Sequence, residues 1–279
     1  MKTRITLLTL LTVGCPSLTL ASDIAREVRS GASGNFLEAI GGGGCGQSAR
    51  IGKTENAESE GCGYGLGLGW EFHWKGFFTE AIQNSYSGLN LGYNLYQNAQ
   101  WTVDFIALNL SGTTSSKDGL EPNMTEAQRN YHLRNRDTLT LDGGLRASHY
   151  WDNNILQVRL EADYSQKHAG AQASVLYGKA WQVKNWNFHA LGGAYWQSRT
   201  RNEYYWGVSA EESTSQFSAY NAKSTLDFSL EFGATYPLSE HWISRTQITV
   251  FRNDDAIADS PLSANQVYGG VGSSLSYVF

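Results

Sequence analysis

Taken two residues at a time, long stretches of the chain separate into an apolar and a polar set. From Tyr64 the even positions are Tyr64, Leu66, Leu68, Trp70, Phe72 and Trp74, whereas the odd positions are Gly65, Gly67, Gly69, Glu71 and His73. Only an extended strand places two such sets on opposite faces. The split recurs at Leu156, Val158, Leu160, Ala162 and Tyr164 against Gln157, Arg159, Glu161 and Asp163. It appears again at Leu226, Phe228, Leu230, Phe232, Ala234 and Tyr236 against Thr225, Asp227, Ser229 and Glu231. A further case sets Trp186, Phe188, Ala190, Ala194 and Trp196 against Asn187, His189 and Gly193. Turn dipeptides join these runs on one side: Lys75-Gly76, Gln97-Asn98, Asp152-Asn153, Lys184-Asn185 and Ser239-Glu240. Longer polar segments at 44–62, 111–137, 199–222 and 253–265 lie on the other. Short and long connections in alternation describe an antiparallel up-and-down sheet.

The pattern predicts strands over 35–43, 63–74, 77–84, 87–96, 100–110, 138–150, 155–166, 171–183, 186–199, 223–236, 241–252 and 266–279. That is an even number, as a single-chain barrel with both termini on one side requires. Residues 77–96 also fit one long strand, and a barrel of about ten strands is the even-numbered alternative. A soluble sandwich or lipocalin-like barrel alternates too, but two features favour a membrane. Trp and Tyr stand at strand ends on the apolar face (Tyr64 and Trp74, Trp186 and Trp196, Tyr236, Trp242), where an interfacial girdle would lie. The opposite face carries Asp, Glu, Arg and Gln, which a barrel with an apolar core could not enclose cheaply. The expected fold class is all-β, a transmembrane antiparallel up-and-down β-barrel over residues 35–279. Lys179 interrupts the pattern by sharing the apolar parity of Val175 and Tyr177; a bulge or snorkelling near the rim would account for it.

Composition agrees with this reading. The 279 residues include 9 Trp, 15 Tyr, 11 Phe and 30 Gly, yet mean hydropathy is -0.38. A strand that averages a lipid face with a polar lumen face gives that combination. The aromatic content excludes disorder. No apolar run of about 18 residues follows the N-terminal twenty or so, which argues against a helical membrane protein. A net charge of -5 and the lack of a Lys/Arg cluster disfavour a nucleic-acid partner.

Lys2 and Arg4, the apolar stretch Ile5 to Leu20 and the small Ala21 have the layout of a secretory signal peptide over residues 1–21. A lipoprotein would instead use Cys15, but the apolar run continues past it. Residues 22–34, with Arg26, Glu27 and Arg29, are expected as a periplasmic segment before the first strand. Removing Cys15 with the signal leaves Cys45 and Cys62, an even pair in an oxidising compartment. A bridge would close a loop of about 18 residues and contribute about 3 kcal/mol in the chain-entropy account. Metal binding is the alternative, and two thiols with no nearby His make a poor site.

The inward parity collects Glu71, Asp104, Asp142, Glu161, Asp163, Asp227 and Glu231 with Arg146, Arg159 and Arg245. Mixed charges inside a small barrel ordinarily pair and fill it; a residual pore would prefer cations. The six histidines, His73, His132, His149, His168, His189 and His241, lie near turns, loops and strand ends without a Ser-containing catalytic motif. The expectation is a protein that is not an enzyme, with no cofactor and no metal. Asp254, Asp255 and Asp259 could bridge divalent cations to lipopolysaccharide or simply be solvated, and no ligand spacing favours the former. In Glu203-Tyr204-Tyr205-Trp206-Gly207, clustered aromatics suit either an interaction hot spot or a loop folded over the barrel mouth. At the C-terminus Val267, Val271, Leu275, Tyr277 and Phe279 share one parity. Aromatics at the last and third-from-last positions, Phe279 and Tyr277, resemble the signal read by the barrel assembly machinery, with Ser274 where a Gly is usual.

Several separate motifs occur in an order that resembles the MipA/OmpV family. They are Leu91-Gly92-Tyr93-Asn94-Leu95, Asn202 to Ser209 followed by Ala210-Glu211-Glu212, Tyr236-Pro237-Leu238-Ser239-Glu240-His241-Trp242, Ala258-Asp259-Ser260-Pro261 and Leu275-Ser276-Tyr277-Val278-Phe279. The resemblance spans essentially the whole mature chain and is densest from about 186 onward; the Gly-Cys pair at 45 and 62 departs from the pattern. It implies an outer-membrane barrel in contact with lipid and lipopolysaccharide. It also implies a scaffold linking a lytic transglycosylase to a murein synthase in peptidoglycan assembly, although other members are discussed as surface adhesion proteins or routes for small solutes. The long connections face outward by strand parity, so a periplasmic scaffold would have only the tight turns and residues 22–34 to work with.

Overall fold

The computed structural model describes residues 23–30, 34–47, 60–82, 88–111, 140–213, 217–263 and 265–279. The signal-peptide reading with Ala21 and Cys15, the middle of the polar segment 44–62 and His132 lie outside them. The strands are β1 (Phe36–Gln47), β2 (Glu60–Trp74), β3 (Phe77–Ala81), β4 (Leu89–Gln97), β5 (Trp101–Ser111), β6 (Thr140–Trp151), β7 (Asn154–Asp163), β8 (Ala171–Val183), β9 (Trp186–Gln197), β10 (Thr225–Pro237), β11 (Trp242–Arg252) and β12 (Val267–Val278). Each pairs antiparallel with its neighbours, and β1 pairs with β12 from Glu38↔Val278 to Gly46↔Gly270, closing a barrel of twelve strands. The region 77–96 therefore resolves into two strands, with β3 only five residues long.

Closure removes both sheet edges, as a lipid solvent demands of every backbone N–H and C=O. The tight side is built from local geometry. Lys75 and Gly76 both have positive φ (49° and 88°), the signature of a type I′ hairpin turn whose twist matches its strands. Gly76 is required there twice over, because a Cβ would also lie 2.8 Å from the Tyr93 ring. The polarity is inverted relative to a soluble barrel: Leu230 and Phe232 are 48% and 50% exposed on the outer face, while Glu231 between them is 1% exposed in the lumen. Outer aromatics meet around the tight-turn rim, with ring centroids 4.9 Å apart for Phe77–Tyr93, 4.3 Å for Trp101–His149, 4.7 Å for Trp186–Tyr236 and 5.2 Å for Trp242–Tyr277. Lys179 keeps the regular register with both neighbours, so no bulge explains it; its Nζ lies 5.8 Å from the Trp181 ring centre near this rim.

The apolar core is small and lies inside the lumen. Helix α1 (Ile24–Ser30) packs Ile24, Ala25 and Val28 against Ile155, Leu176 and Leu191 of β7, β8 and β9. Seven residues are too few for a stable isolated helix, so α1 owes its form to this packing. Residues 23–30, expected as part of a periplasmic segment, are instead enclosed by the barrel. The apolar stripe gains from a lumen wall that offers it partners, and the two arginines find carboxylates there. No helix among the described residues is long and apolar enough to cross a membrane; the strands do the crossing.

Candidate functional site

Helix α1 is fixed across the lumen at both ends. Its N-terminus is capped by Asp23, whose Oδ1 accepts the Ala25 N–H at 2.8 Å. Its last carbonyls, on Val28 and Arg29, each accept from Asn187 Nδ2 of β9 at 2.9 Å. Arg26 pairs with Glu71 of β2 at 2.9 Å, and Arg29 forks onto Glu231 of β10 with contacts of 2.8 and 2.7 Å. His189 completes the second site, its Nε2 3.0 Å from Glu231 Oε1. β8 yields room at Gly178, where a Cβ would sit 2.4 Å from Val28 Cγ1. The Tyr150 hydroxyl donates to Glu27 at 3.0 Å, and burial pushes the Glu27 carboxyl well above the usual carboxylate range.

The lumen charges form several clusters rather than one network. Arg146, fully buried, lies between Glu80 and Asp104, with its Nε 2.9 Å from Asp104. Glu80 also accepts from Asn90, and Asp104 from Asn94, both at 2.8 Å. Arg159 pairs with Glu161, which accepts from Gln172 at 2.9 Å. Asp142 accepts from Arg201 at 2.9 Å and faces His168 at 3.4 Å. Asp163 takes the N–H groups of Ser165, His168 and Ala169 and so builds the β7–β8 turn. Asp227 accepts from Gln197 and from the Asp254 N–H, and Arg245 donates to Glu38 and Ser276 at 2.8 and 2.7 Å.

Sequence parity placed His189 on the polar face without giving it a partner, and it did not single out Glu38, Glu80 or Arg201, nor give α1 its place in these clusters. For Glu38 and Glu80 the signal was present, since each alternates with outward-facing residues of its strand. For Arg26, Arg29 and Arg201, which sit on helices, strand periodicity carries no information. Asp142, Asp163 and His168 have the spacing of a metal group, but the Arg201 guanidinium and the turn N–H groups already serve the two carboxylates.

The remaining expected positions are placed as follows. Cys45 and Cys62 are bonded directly across β1 and β2, on the outer parity of both strands. The aromatic motif forms the second half of helix α2 (Arg199–Trp206), capped by Ser198 and by Gly207. Tyr205 and Asn202 are buried, Tyr205 Oη lies 3.3 Å from Thr140 Oγ1, and Glu203 accepts the Ala222 N–H at 2.7 Å. The segment thus folds onto the barrel rather than standing free. Asp254 caps α3 (Asp255–Ala258) through the Ala256 N–H. Tyr277 and Phe279 stack edge to face at 5.1 Å, and the Phe279 N–H donates to Leu37 across the closing seam. Of the described histidines, His73 contacts Glu71, His149 the Gln100 carbonyl, His241 the Val278 carbonyl, and His168 and His189 the carboxylates above. None of these pairings joins an imidazole to a hydroxyl or thiol nucleophile.

A family profile described as MltA-interacting protein MipA matches residues 46–279. The chain belongs to the MipA family. Among relatives of this family, the outer membrane protein OmpV of Vibrio cholerae is 26% identical over 231 residues, covering 82% of this chain and 84% of its own. The MltA-interacting protein of Escherichia coli K12 is 26% identical over 199 residues, covering 70% of this chain and 76% of its own. Among solved structures, the NanC porin covers 86% of this chain and 98% of its own at a TM-score of 0.44 and 9% identity. Membership and the closed lipid-faced barrel together make this an outer-membrane β-barrel, and its relatives are named as membrane or interacting proteins, not as enzymes.

Proposed function

We propose that this MipA-family barrel is a plugged, non-conducting anchor in the outer membrane that docks a lytic transglycosylase, and through it a murein synthase, at its tight-turn rim. The observation that carries this reading is α1: pinned to Glu71 and Glu231 on far-apart strands, it occupies the lumen and leaves the barrel exterior and rims to do the work. The name of the Escherichia coli relative supplies the partner class. With residues 23–30 enclosed, the docking surface consists of the turns at Lys75-Gly76, Gln97 to Gln100, Asp152-Asn153, Lys184-Asn185 and Leu238 to His241.

The test is affinity purification of the tagged protein from detergent-solubilised envelopes, with planar-bilayer recording of the same preparation. A co-purifying lytic transglycosylase, lost when charges at two or more of these turns are reversed, supports the proposal, as does a silent bilayer. Steady conductance by the intact protein, with no murein enzyme retained, would establish the channel reading instead.

A further inference from the structure

A cavity of about 240 Å³ lies between α1 and the long-loop rim, with Asp23 and Ile24 at one side. Its polar lining is unbalanced in two ways. First, donors are in surplus. Arg159 is 3% exposed, yet its Nε has no hydrogen-bond acceptor and its Nη1 stands 4.0 Å from Asp23, beyond hydrogen bonding. Arg201 Nε and Asn253 Nδ2, also in the lining, are likewise without acceptors. Leaving buried guanidinium donors unmet is costly. Second, the charge runs the other way: the lining carboxylates Asp23, Glu161 and Asp227 outnumber the guanidinium groups of Arg159 and Arg201.

An anion alone would satisfy the donors and worsen the charge; a cation alone would do the reverse. A zwitterion satisfies the donors without adding to the negative charge, its carboxylate on the arginine fork and its ammonium toward the acids. The remaining wall is aromatic. Phe251 and Tyr268 stack with centroids 5.1 Å apart and planes 11° apart, and both line the cavity. The volume falls just below the roughly 300 Å³ at which drug-sized sites begin, which suits a single amino acid.

We propose that this cavity is a binding site for a small zwitterionic α-amino acid with an apolar or aromatic side chain. The site stands on the loop side of α1 and does not depend on murein enzymes docking at the opposite rim. Calorimetric titration of the full-length protein in detergent micelles tests it, using L-phenylalanine, phenylacetate and phenethylamine as probes. L-phenylalanine is expected to bind saturably, and each single-charge analogue about tenfold or more weaker. Because Arg159 also holds Glu161, an Arg159→Gln variant risks the fold; Ser174→Phe instead fills the cavity from the β8 wall and leaves every donor in place. It should abolish binding while the barrel keeps its thermal midpoint. The proposal falls if L-phenylalanine shows no saturable binding, if phenylacetate binds as tightly, or if Ser174→Phe binds unchanged.

Discussion

Strand β7 turns Gln157, Arg159 and Glu161 into the lumen, whereas β2 turns Gly61, Gly63, Gly65 and Gly67 the same way. The two walls use the same alternation to opposite ends. Helix α1 rests on the β7–β10 wall and reaches β2 through Arg26, so it covers the polar wall rather than the glycine wall. Along the glycine wall a Cβ at any of the four β2 positions would meet nothing within 4 Å. Glycine on the filled side means something else: a Cβ at Gly144 would meet the Leu160 carbonyl oxygen at 1.8 Å, and one at Gly178 would strike the plug. Helix α1 therefore bears on the two walls differently, and substitutions should respond accordingly.

The largest effect is expected at the buried charge cluster that joins β3, β5 and β6. Arg146→Ala strands Glu80 and Asp104 without their buried cation and should cost about 3–5 kcal/mol in urea unfolding from detergent. On the glycine side, replacing Cys45 and Cys62 by Ser frees a loop with a sequence separation of 17. That should cost up to about 3 kcal/mol and leave conductance unchanged.

A matched pair then separates the two meanings of glycine. Gly178→Val should loosen α1 by about 1–3 kcal/mol through overpacking and raise bilayer conductance. Gly65→Val should change stability by about 0.5 kcal/mol or less and leave the plug seated. Equal responses would erase the distinction between the walls.

The smallest effect is a pH dependence. Burial raises the Glu27 carboxyl, against the Tyr150 hydrogen bond and with Glu71, Arg146 and Arg26 nearby. A carboxyl whose folded pKa lies above its unfolded one contributes stability that is complete below the unfolded value and fades as pH rises through the folded value. The thermal midpoint should accordingly fall with rising pH above the ordinary carboxylate range, and Glu27→Gln should flatten that trend.

Much of the fold was legible because strand alternation is local. Leu226 to Tyr236 and Leu156 to Tyr164 declare their lipid faces without reference to any other residue, and the turns at Lys75-Gly76 and Asp152-Asn153 fix which ends are tight. The even strand number was legible too, although the short β3 needed its partners to define it. Lys179 was ambiguous because a bulge and a rim lysine leave the same mark on parity. The segment at 203–207 announced itself as distinctive, but whether it projected or folded in depended on Thr140 and Ala222, distant in the chain.

The barrel, its inside and outside and the aromatic rim can be read from sequence alone, because period two is imposed by the geometry of a single extended strand. Closure is what puts residues 23–30 in the lumen, pairs the charges, seals β1 against β12 beside Tyr277 and Phe279, and leaves a donor-rich cavity above the plug. Arg29 and Glu231 are 202 residues apart in sequence. No local pattern encodes such a contact, since it exists only once twelve strands have closed around a helix too short to stand alone.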